Sequence, residues 1–310
     1  MDAADSVSGL TEKDEHLHRP TGEAKWRESY YFNWVDLENK VSGFSTIGLV
    51  PNENRRELVL ALFIGNQMEV HYQEPKLENY REDINVMLQD DRMTYKLIRP
   101  FREWQISYKC RKFKFDLTFR TRFPTYNFAT DSSGSWHHHF EASGIILGAI
   151  AFSDGRVMDL RGFGQRDKSW GFRDWHKFDK WYAAQFQFRN WTCAFRKDYA
   201  RKRIDLSGYI ASREGSCPLT EMEIDTVSDT DKVKTPLSSK FAFADSKGNS
   251  HVVDSKRISK NTYFRFTRVF PGGYTELFEE MVIMKDRETG EIGSGMAEYL
   301  RTIKTQATTH

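Results

Sequence analysis

From about residue 23 onward the chain is a succession of short apolar or alternating runs separated by turn residues. The stretch from Lys112 to Phe123 shows this most plainly: Phe113, Phe115, Leu117 and Phe119 recur at every second position, with Lys112, Lys114, Asp116, Thr118 and Arg120 between them. A period of two places successive side chains on opposite faces of a strand, so one face is buried and the other is polar. Gly43 to Val50 and Leu58 to Ile64 are apolar runs split by Pro51-Asn52-Glu53-Asn54, while Phe140 to Phe152 and Arg156 to Phe163 flank Ser153-Asp154-Gly155. Asp-Gly tolerates positive φ, which makes the second pair a hairpin. The same grammar continues to Ile303, with turns at Ser246-Lys247-Gly248-Asn249, Pro271-Gly272-Gly273 and Glu288-Thr289-Gly290-Glu291. The best candidate for a helix is a short one near Leu77 to Leu88.

Roughly 16 to 18 short strands between regular turns predict an all-β chain of antiparallel barrels or sandwiches. That is more than one small barrel uses, so two β domains are expected in tandem, at 23–165 and 166–305. Residues 1–22 are polar and predict a disordered arm.

Composition sharpens this picture. Aromatic residues reach 14%, with 23 Phe, 13 Tyr and 8 Trp, and such residues suit half-buried pleated surfaces. Charged residues make up 29% but nearly cancel at a formal +2, so no global field favours nucleic acid or an anionic surface. Cys110, Cys193 and Cys217 lack zinc-site spacing and read as reduced thiols. No basic and apolar leader opens MDAADSVSGLTEKDE, and no apolar run nears the ~18 residues of an integral membrane helix, so a cytoplasmic location is expected.

Three groups could carry chemistry. The densest is Gly162 to Trp175, GFGQRDKSWGFRDW, with two Arg-Asp pairs, Arg166-Asp167 and Arg173-Asp174, and two indoles, Trp170 and Trp175. Arg beside Asp keeps a carboxylate ionised and oriented, and Trp supplies an apolar wall. Equally, such pairs could lock a crossover between two domains. As a nucleotide-binding motif the GxG is weak, because no βαβ unit surrounds it. The second group is Trp136 to Ser143, WHHHFEAS. On a strand, Trp136, His138 and Phe140 share one face, and His137, His139 and Glu141 share the other. Glu141 with His139 suits a general acid/base pair; a metal is not expected, since no distant His or Cys completes a ligand set. In the third group, Glu28, Tyr30, Tyr31 and Asn33 alternate along the first strand, where Tyr hydroxyls can bond a substrate or simply reach a backbone carbonyl. Near the end, Glu298 is expected in the last strand with an Arg partner, Arg166 or Arg173. GxSxG, Walker, HExxH and EF-hand patterns are absent, which disfavours the common hydrolase, NTPase and metalloprotease classes.

WRESYYFNWVD, HFEASG, GFGQRDKSWGFRDW and GSGMAEYL together resemble the lipocalin-like superfamily of carotenoid 1,2-hydratases and AttH, with kievitone-hydratase-like proteins, tocopherol cyclase and lipocalin-like Diels–Alderases. The likeness spans most of residues 25 to 303. It implies two lipocalin-like, calycin-type domains, a ligand pocket in or between them, and chemistry without a cofactor, such as moving water at an alkene or cyclising a polyene. Family sequences commonly carry RDHSWG at the junction, where this chain has Lys168 in place of His.

The combined expectation is a lyase or isomerase of the hydratase, dehydratase or cyclase type acting on a hydrophobic, terpenoid or polycyclic, small molecule. Asp167 or Glu141 would be the protonated acid in an apolar site, with Asp174 a further catalytic candidate. His139 would take the final proton. Trp170, Trp175, Trp136, Tyr30, Tyr31, Arg166, Arg173 and Glu298 would bind substrate, the rings steadying a cation. A carrier or sensor of an apolar ligand, and a pericyclase-like template, remain alternatives.

Overall fold

The computed structural model describes residues 9–128, 137–230 and 233–304. Ten strands belong to the first sheet: β1 (Trp26–Asp36), β2 (Val41–Val50), β3 (Arg55–Ile64), β4 (Gln67–Gln73), β5 (Met93–Arg99), β6 (Glu103–Lys109), β7 (Phe113–Thr121), β8 (Tyr126–Asn127), β9 (His138–Phe152) and β10 (Val157–Phe172). Their order is β4-β3-β2-β1-β10-β9-β7-β6-β5, with β8 on β9, and every pairing is antiparallel. The sheet curls around an aromatic core that includes Tyr30, Phe32, Trp34, Trp104, Phe115 and Phe119. The alternation in β7 is as expected, with Phe113, Phe115, Leu117 and Phe119 buried and Lys114, Asp116 and Arg120 exposed. The expected helix shrinks to one turn, α1 (Ile84–Met87), N-capped by the Asp83 carboxylate on the Asn85 amide.

The second sheet contains β11 (Lys180–Gln187), β12 (Trp191–Ala200), β13 (Arg203–Ser212), β14 (Gly215–Ser228), β15 (Pro236–Asp245), β16 (Ser250–Arg257), β17 (Tyr263–Phe270), β18 (Gly273–Asp286) and β19 (Ile292–Lys304). Pairing of β16 with β18 closes eight of these into a barrel and leaves β17 attached outside the ring. Closure satisfies the strand edges that an open sheet would expose. Phe186, Phe195, Phe241, Phe243 and Phe278 fill the interior. The chain is therefore all-β, in two tandem domains of lipocalin-like type. No helix among the described residues is long and apolar enough to cross a membrane.

Two expectations change. The compact units divide between Arg173 and Asp174, whereas a boundary after residue 165 falls inside β10. Gly162 to Phe172 is thus a strand of the first sheet and no hinge. The glycines serve close strand approach: a Cβ at Gly162 would lie 2.0 Å from the Val35 carbonyl oxygen, and one at Gly164 2.3 Å from that of Asn33. The arm at 1–22 is also ordered where it is described. A 3-10 turn at Glu12–Glu15 sets Glu15 at 0% exposure, and Leu17 joins the core. A polar segment can be held by buried ion pairs that its apolar content does not announce.

Candidate functional site

The hairpin closed by Asp154-Gly155, with Gly155 at φ +90°, sets the register of β9 against β10. It places Glu141 opposite Asp167 and His139 opposite Ser169. On the far side of β10, Asp167 faces Tyr31 of β1, and beyond β9, Glu141 faces Tyr126 of β8. One row across four strands is therefore Tyr31, Asp167, Glu141 and Tyr126. These side chains point away from the aromatic core, because Tyr30, Phe32, Arg166 and Lys168 take the alternate positions.

Three titratable groups converge in this row. His139 Nε2 lies 2.9 Å from Asp167 Oδ2 and 3.3 Å from Glu141 Oε1. The Gln165 amide donates to Glu141 Oε2 at 2.8 Å, and the Phe128 ring stacks on the imidazole at 4.5 Å between centroids. The His139 side chain is only 1% exposed, that of Glu141 8% and that of Asp167 16%, so Asp167 is the member that meets the outside. Burial alone would lower the imidazole pKa, but the charge and hydrogen bond of Asp167, joined by Glu141, outweigh it and raise it to about 9. Burial would raise the Asp167 carboxyl, yet His139, then Arg173 and Arg166, hold it below its ordinary value. At neutral pH these shifts leave His139 protonated and Asp167 ionised.

These electrostatics run against an Asp167 kept as a protonated acid by an apolar pocket, as was expected, and favour a protonated His139. The same His, Glu and Asp ligand atoms lie within 4.8 Å of one another and could hold a divalent cation. Asp167 is thus the distant ligand that sequence spacing did not supply, and a cation there would compete with the imidazolium proton.

The other expected residues are distributed as follows. Arg166 points to the opposite face from Asp167, into the first unit's core, and forks onto Glu15 rather than pinning its neighbour. Tyr30 and Trp170 share that inner face with Lys168, which is fully buried against Glu28. The Lys168 amine thus faces away from Asp167, and His139 supplies an imidazole beside that carboxylate. Arg173 acts on Asp167 through its charge. Asp174 caps the 3-10 turn Trp175–Lys177 through the His176 amide. Trp175 packs edge-on to Trp181, and Arg268 stands 4.5 Å over it. Glu298 accepts the Trp181 indole N–H at 2.5 Å. Asp174, Trp175 and Glu298 thus belong to the second unit, and His139, Glu141 and Asp167 to the first. Trp136 lies outside the described residues.

Sequence reading missed Gln165, Phe128 and Tyr126. Gln165 had a signal, since it shares the face of Asp167 two residues away. Phe128 and Tyr126 had none, because the pairing of β8 with β9 is a tertiary event.

Residues 11–303 match the family described as a domain of unknown function, DUF7064. The chain belongs to that family. Among curated proteins none matches this DUF7064 member in sequence. Its fold is shared with an AttH-like protein of Nitrosomonas europaea, at TM-score 0.67 and 9% identity over 96% of this chain and 98% of that one. Kievitone hydratase from Nectria haematococca aligns with TM-score 0.65 and 10% identity over 96% of this chain and 94% of the other. At such identities the shared feature is the two-domain lipocalin-like architecture.

Proposed function

We propose that this protein is a cofactor-independent hydratase or dehydratase of an apolar, terpenoid or polycyclic, small molecule, working at His139, Asp167 and Glu141. The observation that carries the reading is a buried imidazole in contact with two carboxylates, the outermost of which is partly exposed. The kinship in fold with an enzyme named for hydration supports it by analogy.

In the dehydration direction, the His139 proton passes to Asp167, which protonates the substrate hydroxyl. The C–O bond breaks and water leaves. Glu141 and the reformed Asp167 carboxylate steady the developing cation, and a proton from the adjacent carbon returns to the pair as the alkene forms. Hydration is the reverse, with one proton lent and one recovered. Phe128 and Tyr31 supply apolar and hydroxyl-bearing walls on the same face.

The test is incubation of the full-length protein with a panel of apolar alkenes in heavy-oxygen water. The expected product carries one added water with the label, and His139→Gln should slow its formation by about 100-fold or more. Recovery of every compound unchanged would instead make the chain a carrier. Full turnover by His139→Gln would remove the cluster from the chemistry.

A further inference from the structure

The inner face of the same strands holds a second cluster that the proposed reaction does not use. Arg166 is 1% exposed and Lys168 0%, deep in an aromatic core. Arg166 stands 5.3 Å from the Trp104 ring centre and 5.0 Å from that of Phe140, while Lys168 lies 4.4 Å from Tyr30 and 4.8 Å from Trp170. Buried cations require anions. One, Glu28, is on the sheet itself and pairs with Lys168. The other is brought from outside the sheet by residues 9–22.

That segment brings a carboxylate and a flat ring to the inner face. The Glu15 carboxylate takes both Arg166 Nη atoms, at 2.5 and 2.7 Å, and the Phe101 amide at 2.7 Å. Three residues later the His18 ring stacks on Trp170 at 3.9 Å and 8°, and His138 also stacks on that indole at 4.8 Å. Among the described residues, no backbone-to-backbone hydrogen bond ties residues 9–22 to the sheet. Tyr30 donates to the Glu15 carbonyl, Tyr80 donates to the His18 carbonyl, and the His18 amide donates to Glu28. The strap is held by these side-chain bonds, by Leu17 in the core and by the Glu15 carboxylate on Arg166. With Glu15 withdrawn, the Arg166 guanidinium loses its bidentate carboxylate, and Arg166 Nε already lacks a hydrogen-bond acceptor.

We infer that the Arg166 end of the first unit's inner face is a binding site for a small aromatic or aliphatic carboxylate, filled here by the chain's own Glu15. Arg supplies the fork that recognises a carboxylate, and the Trp104 and Phe140 rings beside it supply apolar walls.

Chemical rescue of full-length variants tests this. Glu15→Ala should lower the Tm, and millimolar benzoate should restore at least half of the loss, whereas benzyl alcohol and chloride should not. The double variant Glu15→Ala with Arg166→Met should gain nothing from benzoate. If Glu15→Ala does not fold, near-isosteric Glu15→Gln should bind cinnamate at least tenfold more tightly than the unaltered protein, read by quenching of tryptophan fluorescence. Benzoate raising the Tm of Glu15→Ala no more than benzyl alcohol does, or equal cinnamate affinity with and without Glu15, would overturn the assignment. Neither readout involves turnover at His139.

Discussion

The His139 imidazole illustrates how charge partners defeat burial. Its rise from 6.5 to about 9 corresponds to about 3 kcal/mol favouring the charged form. A folded-state value above the unfolded one gives stability that is fully present below pH 6.5 and lost as pH rises through about 9. Thermal melts should therefore show the His139→Gln variant less stable at pH 6 by about 3 kcal/mol or more, because two buried carboxylates lose their cation, with the gap narrowing above pH 9. A gap independent of pH would mean an uncharged imidazole. Asp167→Asn should lower the His139 pKa and shift the alkaline limb of activity toward neutrality. At this scale the sequence was informative where partners share a strand. His139 and Glu141 stand two apart and were paired from spacing alone, and a hairpin at Ser153-Asp154-Gly155 brings Asp167 opposite Glu141 by counting back from the turn. Glu15 with Arg166 was illegible, since no local pattern links residues so distant in the chain.

Among the elements, β10 does most to position both clusters. The apolar pattern carried it only as far as Phe163, yet it continues to Phe172. From Gln165 to Ser169 both faces carry polar side chains, Asp167 aside all fully buried, with Gln165 and Lys168 at 0% exposure. Hydrophobic alternation disappears from the sequence wherever each face finds charged or amide partners, so a functional strand reads as a junction. The glycine at 162 belongs to the same strand. Because an added methyl there meets Val35 backbone, Gly162→Ala should cost about 1–3 kcal/mol in denaturant unfolding, and more than an alanine at Gly22, which has open space around it and no positive φ. Equal effects at the two sites would show that β1 and β10 do not approach so closely.

Across the whole molecule, a curled open sheet is followed by a closed eight-stranded barrel, and the barrel carries its own buried acid. Glu280 is 2% exposed, with Arg257 3.8 Å from one carboxylate oxygen. Burial raises its pKa to about 8 against the weaker pull of Arg257. A carboxyl with a raised folded-state value contributes stability below pH 4.5 that is lost as pH climbs through about 8. Glu280→Gln should therefore raise the Tm at pH 8 by about 3–6 °C while leaving water addition at His139 unchanged. A lowered Tm would make the ionised pair with Arg257 a net support. The all-β class and the two-domain plan were legible because turns punctuate the chain so regularly. Which sheet closes was not, since closure depends on the pairing of β16 with β18, two strands separated by β17. The central claim, that His139 is a charged proton donor held between Asp167 and Glu141, is tested most directly by nitrogen-15 NMR of the histidine side chains across pH. The account expects His139 to carry protons on both ring nitrogens at pH 7 and to titrate near 9; a neutral tautomer at pH 7 would contradict it.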